Sequence, residues 1–435
     1  MKPLVVLGAG RSSTYFLSLL NVLANENPEI EVKVFEQAVN VRHLQQARFP
    51  YLHWPEESGL EYLKHGGPAS LVVSLLPVSF HKEILSYCIA NASDMLTASY
   101  LTDELRNQEE AIARAGIRVL MEFGLDPGWD HASALVHLHD LKEHGATLLS
   151  FESHTGGLIE PLPGDPWQYR ITWNPGNVVR AGQGGAQWRE DGAIQTQPYE
   201  TLFKHPIPIQ IEEEAFEAYP NRDSLPFMAA LGIEGIDTFI RGTLRYPGYC
   251  EAWHQLIQWN LTSTEDTLPE GLQTISDWTK FKTGMDAKAF ALWLELQNEA
   301  LKERIAFLNL YSAEPLLPSA HHSADVLESI LIKRWALAPD IKDRVVMVHR
   351  IRYQMGAHIF QDEISLDFLG EAEFSAMAKG VGSGLWEGLR IWFNADLSPG
   401  SFYTPLHYAC AELMMAHAEE HQLHFTMRSG WQPDA

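Results

Sequence analysis

The chain has 435 residues, 46% hydrophobic and 20% charged, with a formal net charge of −24. That length suffices for two or three hydrophobic cores, and such acidity speaks against nucleic acid, whose phosphates call for clustered Lys and Arg. No apolar run approaches the ~20 residues of a membrane helix, and three widely spaced cysteines (Cys88, Cys250, Cys410) without a CxxC argue against a disulfide framework or a zinc site and fit a reducing cytoplasm.

The opening "PLVVLGAG" follows one lysine, too short for a secretory signal, and reads as a first strand over 3–7. A helix is expected over 13–24, a strand over 31–35 and a buried strand over 70–76 that stops at Pro77. Then come a helix over 81–92, a strand over 95–99, a helix over 103–116, a strand over 117–122 and a helix over 127–145. Strand-helix alternation at this pitch predicts an α/β fold, a doubly wound parallel sheet of the Rossmann type. After 146 the strands lengthen and the connections become rich in Trp and Gly. The stretch 250–340 is mostly helical, 344–368 returns to strands, and "FSAMAKGVGSGLWEGLRIW" reads as a helix. The expectation is a dinucleotide-binding domain over 1–125 and a mixed α/β domain over 126–435 with a helical insertion at about 250–340. The last ~40 residues are expected to return to the first domain.

"VVLGAGRSS" places Gly8 and Gly10 between a strand and a helix. Gly8 permits the tight turn and Gly10 lets backbone approach a pyrophosphate at the helix N-terminus; Ser13 stands where a third glycine is usual. Glu36 follows the second strand, where a carboxylate accepts from ribose hydroxyls and repels a 2′-phosphate, which favours NAD over NADP. The plain alternative is an exposed edge carboxylate. His81, after "SLLPVSF", reads as a structural cap.

Several motifs occur in one order: "SLLPVSFH", "LTASYLTDE", "GLDPGWDH", "HTGGLIEP", "YPNRDSL", "RGTLRYPGYCE" and "FSAMAKGVG". Together they resemble the glutamate-forming saccharopine dehydrogenase (saccharopine reductase) family, over nearly the whole chain and least over 255–340. The resemblance implies a Rossmann domain, a mixed α/β substrate and dimerisation domain, a helical part and a homodimer. It implies interconversion of saccharopine with glutamate and 2-aminoadipate 6-semialdehyde, in lysine metabolism. It carries substrate contacts onto Ser99, Tyr100, Asp126, Arg222, Thr243, Leu244 and Arg245, and cofactor contacts onto Ala9, Gly10, Arg11, Ser12, Leu76 and Pro77. Three positions depart from the family pattern. Thr155 replaces a usual cysteine, "GAGRSS" lacks the common apolar residues, and Glu36 replaces the Arg/Thr pattern of NADP-using members.

A substrate with several carboxylates requires cations in an acidic protein, and arginine offers bidentate geometry. Arg222 and Arg245 each follow a turn signal and are the expected anchors, with surface salt bridges as the plain alternative. Arg170 is a third candidate, for which a structural role is equally open. Asp126 and Tyr100 lie beyond strand ends, where parallel sheets collect their sites, and are the expected proton-transfer pair. Asp126 before Pro127 also fits a helix N-cap. Asp130 reads as a first-turn dipole acid and His131 as a candidate proton carrier. His137 and His139 fall on different sides of a helix and no HExxH occurs, so no metal is expected. Two other functions stay open: reduction of an opine-like or carboxyalkyl-polyamine imine, and a non-catalytic NAD-binding regulatory protein.

Overall fold

The computed structural model describes residues 2–173 and 175–431. The chain divides into two compact units. One runs to Ala146 and takes in Gly370–Phe425; the other is Thr147–Leu369 and resumes at Thr426.

The first unit is built on a six-stranded parallel sheet in the order Ser401–Tyr403, Arg118–Leu120, Asp94–Thr97, Leu71–Ser74, Leu4–Leu7, Val32–Phe35. The central strands "LVVL" and "LVVS" are wholly buried, the pattern of strands covered on both faces. Helices Thr14–Glu26, His81–Asn91 and Trp129–Glu143 follow three of the six strands. The stretch 103–116 is two helices, Asp103–Arg106 and Glu109–Ala115, because Asn107 and Gln108 form a turn between them.

The unit does not end at 125. Helix Trp129–Glu143 belongs to it, with Trp129 to Ala134 all buried. The return of the chain is also longer than the last ~40 residues. It starts at Gly370, brings helix Ala376–Asn394 against Thr14–Glu26, and adds Ser401–Tyr403 as a sheet strand. The glycine spacing of that helix explains the contact. A Cβ on Gly382 would lie 2.8 Å from the Phe16 backbone nitrogen, and one on Gly384 would lie 2.4 Å from the Gly124 carbonyl oxygen.

The second unit carries a nine-stranded mixed sheet. Its central strand Thr147–Ile159 runs parallel to Thr238–Arg245 and antiparallel to Asp343–Met355. Between strands Thr238–Arg245 and Asp343–Met355 lie helices Tyr249–Gln258, Ile275–Thr283, Ala287–Glu295, Glu299–Leu308 and Ser323–Arg334. They close over an aromatic core of Trp167, Tyr169, Tyr249, Trp253, Trp278 and Trp335.

Candidate functional site

The glycine loop opens the first unit's site. Gly8 has φ +97°, the left-handed region that favours glycine, and its N–H donates to the Phe35 carbonyl at 2.8 Å. Gly10 is extended, and a Cβ there would meet nothing within 4 Å. Arg11–Ser13 make one tight 3-10 turn that leads into helix Thr14–Glu26, and the Ser13 hydroxyl donates to the Gly10 carbonyl at 2.7 Å. Glu36 is engaged with the loop. One carboxylate oxygen accepts from Ala9 N–H and the other from Ala38 N–H, both at 2.9 Å. Each oxygen keeps a lone pair for a further donor. Leu76 and Pro77 follow strand Leu71–Ser74. The buried His81 ring, with Nε2 3.2 Å from the Leu76 carbonyl, steadies that loop. Burial pushes the His81 pKa down, so it is a neutral structural ring. Open space over Gly10, a helix start behind it and an acceptor at the end of the second strand fit a dinucleotide.

The second cluster lies at the ends of the next strands. The Tyr100 hydroxyl donates to Asp126 Oδ1 at 2.5 Å. Ser99 gives its carbonyl to Glu122 N–H at 3.1 Å, and Glu122 Oε1 accepts from Leu101 N–H at 3.0 Å. Glu122 Oε2 stands 3.3 Å from His131 Nδ1, and Asp130 Oδ2 stands 3.4 Å from His131 Nε2. The His131 and Tyr100 rings are 6.3 Å apart.

Asp126 is not the helix cap. The helix starts at Trp129 with Gly128 in the cap position, φ +148°, and the Asp126–Pro127 peptide is cis. The Asp126 side chain pairs with Tyr100 instead. The loop glycines Gly124 and Gly128 serve the loop's own packing. A Cβ on Gly128 would sit 2.0 Å from the Gly124 carbonyl oxygen. Asp130 is more than a dipole acid, since its Oδ1 accepts from Gly128 N–H at 2.7 Å and closes the turn. Glu122 is the residue that sequence reading missed. The available signal was an acid at a strand end just before two glycines.

In the second unit, alternation along Thr238–Arg245 puts Arg241, Thr243 and Arg245 on one face. Thr243 is opposite Tyr219 on one side and Thr155 on the other. Arg245 is buried at the end of the strand, not on a loop tip. Its guanidinium donates to the Leu244 carbonyl (2.7 Å) and the Tyr219 hydroxyl (3.4 Å), and it lies 5.0 to 5.7 Å from the ring centres of Tyr169, Tyr219 and Tyr249. Its Nε and the buried Thr155 hydroxyl have no hydrogen-bond partner among the described residues. Leu244 packs on Gly156, where a Cβ would come within 2.8 Å. Arg222 is exposed on the turn after Glu214–Pro220, with φ +55°. Asn221 N–H donates to the Arg241 carbonyl, which sets Arg222 roughly 15 Å along the strand from Arg245 at ~3.3 Å per residue. Arg170 is ion-paired with Asp165, a structural role.

Among the described residues no helix is long and apolar enough to cross a membrane, and no group of three His, Cys, Asp or Glu could hold a metal ion.

These features define a dinucleotide-binding α/β protein with a second, mixed-sheet unit. The family model described as the saccharopine dehydrogenase C-terminal domain matches residues 124–415, about two thirds of the chain. The chain belongs to the saccharopine dehydrogenase family. It is 31% identical over 330 residues to the Saccharomyces cerevisiae saccharopine dehydrogenase [NADP(+), L-glutamate-forming], covering 72% of this chain and 73% of that one. It is 31% identical over 411 residues to the mouse mitochondrial alpha-aminoadipic semialdehyde synthase, covering 88% of this chain but only 43% of that protein's length. The fold is that of apo saccharopine dehydrogenase (L-Glu forming) from Saccharomyces cerevisiae, with TM-score 0.86 at 23% identity over 99% of this chain and 100% of that one.

Proposed function

We infer that this chain interconverts saccharopine with L-glutamate and 2-aminoadipate 6-semialdehyde, with NAD as the preferred electron carrier. The observation that carries the reading is the Tyr100–Asp126 hydrogen bond at the strand ends of the parallel sheet. Family membership supports the substrate class.

Oxidation breaks the C–H bond next to the secondary amine, and its electron pair leaves as hydride while the nitrogen lone pair forms C=N. A bound nicotinamide supplies the hydride-accepting chemistry. The amine must first be neutral, and Asp126 is the group proposed to take its proton. Water then adds to the C=N carbon, and the C–N bond breaks to release the glutamate amine and the aldehyde. That step moves a proton from the carbinolamine hydroxyl to the leaving nitrogen. Tyr100, already hydrogen-bonded to Asp126, is suited to carry it, with His131 in reserve.

Arg245 supports recognition of a carboxylate. It is a buried cation among tyrosine rings, none of its named partners is a carboxylate, and Nε is still to be satisfied. Arg222 is proposed for a second carboxylate, with Ser99, Thr243 and Leu244 lining the substrate. Gly8, Ala9, Gly10, Arg11, Ser12, Glu36, Leu76 and Pro77 are proposed to hold the cofactor. The yeast relative's name specifies NADP(+). Here the Glu36 carboxylate stands where a 2′-phosphate would be repelled, which supports NAD. A homodimer in a reducing compartment completes the reading; the three cysteines are buried and free.

Chromatographic analysis of saccharopine incubated with the protein and NAD⁺ or NADP⁺ tests the reaction. Glutamate and the semialdehyde in equal amounts support it. Turnover of a carboxyalkyl-polyamine instead, or cofactor binding without any turnover, refutes it.

A further inference from the structure

The Glu122 carboxylate does two things at once. Oε1 accepts from Leu101 N–H, the amide next to Tyr100, and Oε2 faces His131 Nδ1 at 3.3 Å. It is 4% exposed, and its backbone is in the left-handed region at φ +69°. A Glu is an uncommon occupant of that region. Three backbone hydrogen bonds hold the turn around it: Glu122 N–H to the Ser99 carbonyl, Phe123 N–H to the Thr97 carbonyl and Gly124 N–H to the Glu122 carbonyl. The side chain is thus aimed by the same strand ends that carry Ser99 and Tyr100. On the far side of the imidazole, Asp130 Oδ2 lies 3.4 Å from Nε2 while its other oxygen closes the Gly128 turn. His131 is flanked by two carboxylates, and the one on Nδ1 also fixes the segment bearing Tyr100.

We propose that Glu122 is a positioning residue: one carboxylate couples the His131 imidazole to the Ser99–Leu101 segment, and so sets the orientation of His131 beside the Tyr100–Asp126 pair. The proposal rests on the functional reading above for its kinetic consequence, but not for its spectroscopic one. A carboxylate facing Nδ1 offers that side of the ring an acceptor and so constrains how the imidazole is turned. Its neutral isostere keeps an oxygen for Leu101 N–H and removes only the charge facing His131.

The test uses Glu122→Gln in the full-length chain, with ¹⁵N-labelled histidine. His131 signals are assigned by their loss in His131→Gln. At one fixed neutral pH the ¹⁵N shifts of the His131 ring nitrogens are expected to move, while the melting temperature stays close to wild type. In saccharopine oxidation kcat is expected to fall at least tenfold with KM within twofold, and Glu122→Asp to recover part of the loss. In the His131→Gln background the same Glu122→Gln change should cost less than twofold. Unchanged His131 ring shifts, or Glu122 and His131 losses that simply multiply, overturn the proposal. If the wild-type chain does not oxidise saccharopine but the His131 shifts move, the functional reading fails and the positioning role stands. If the wild type turns over and the shifts do not move, the positioning role fails alone.

Discussion

Tyr100 and Asp126 are 26 positions apart, yet share a 2.5 Å hydrogen bond, and we propose that they act as one acid–base unit. Tyr100→Phe removes the hydroxyl and leaves the ring, so kcat for saccharopine should fall by about 10²-fold with cofactor affinity unchanged. Stopped-flow turnover and fluorescence titration of NADH check the two halves. Arg245→Met should keep the packing against Tyr169 and Tyr249 but lose the charge, raising KM for saccharopine by about 10²-fold. His81 gives a pH prediction. Its folded pKa lies below its unfolded value of about 6.5, because burial disfavours the charged ring. The unfolded chain therefore takes up the proton first. The His81 contribution is complete above about pH 6.5 and is lost as pH falls from there toward the folded pKa. Urea unfolding at pH 7.5 and 5.5 should show a stability loss that is smaller in His81→Gln than in wild type.

Among the elements, helix Ala376–Asn394 shows which of two opposing effects wins. Alanine is a better helix former than glycine by about 1 kcal/mol. At Gly384, however, a methyl would enter the Gly124 backbone at 2.4 Å, and overpacking of that kind costs about 3 kcal/mol. Gly384→Ala should therefore destabilise the chain, as a lower thermal midpoint, despite its propensity. The strand-to-loop junction at Glu36 makes a second prediction. Glu36→Ala removes the acceptor for Ala9 and Ala38 and, on the proposed NAD reading, the repulsion of a 2′-phosphate. The KM ratio of NADP⁺ to NAD⁺ should fall by about tenfold or more, in steady-state assays with each cofactor. The glycine loop was legible in the sequence because turn, helix start and acidic residue lie within one strand–helix–strand unit. The junction at 121–131 was less so. Asp-Pro before an amphipathic run has the spelling of a helix cap, but Gly128 holds the cap position and Asp126 answers to Tyr100, a partner that local spacing cannot reveal. Glu122 escaped for the same reason, since its two partners come from the Leu101 backbone and from His131.

Over the whole molecule, alternating strands and helices announced the parallel sheet, and the longer strands after 146 announced a second, mixed one. The interleaving was harder to read. The first unit takes its sixth strand, Ser401–Tyr403, from the far end of the chain, and a three-residue strand paired so remotely leaves no local pattern. The helical stretch gives the second unit an aromatic core but offers no motif that would mark a site. Several of the motifs that carried the family resemblance, among them "LTASYLTDE", "GLDPGWDH" and "YPNRDSL", sit instead at strand ends and turns of both units. The most direct measurement of the central claim is absorbance at 340 nm with purified protein, saccharopine and NAD⁺ or NADP⁺. A saccharopine-dependent rise is expected, faster with NAD⁺ and reduced about 10²-fold in Tyr100→Phe. A folded protein that gives no rise with either cofactor would contradict the claim.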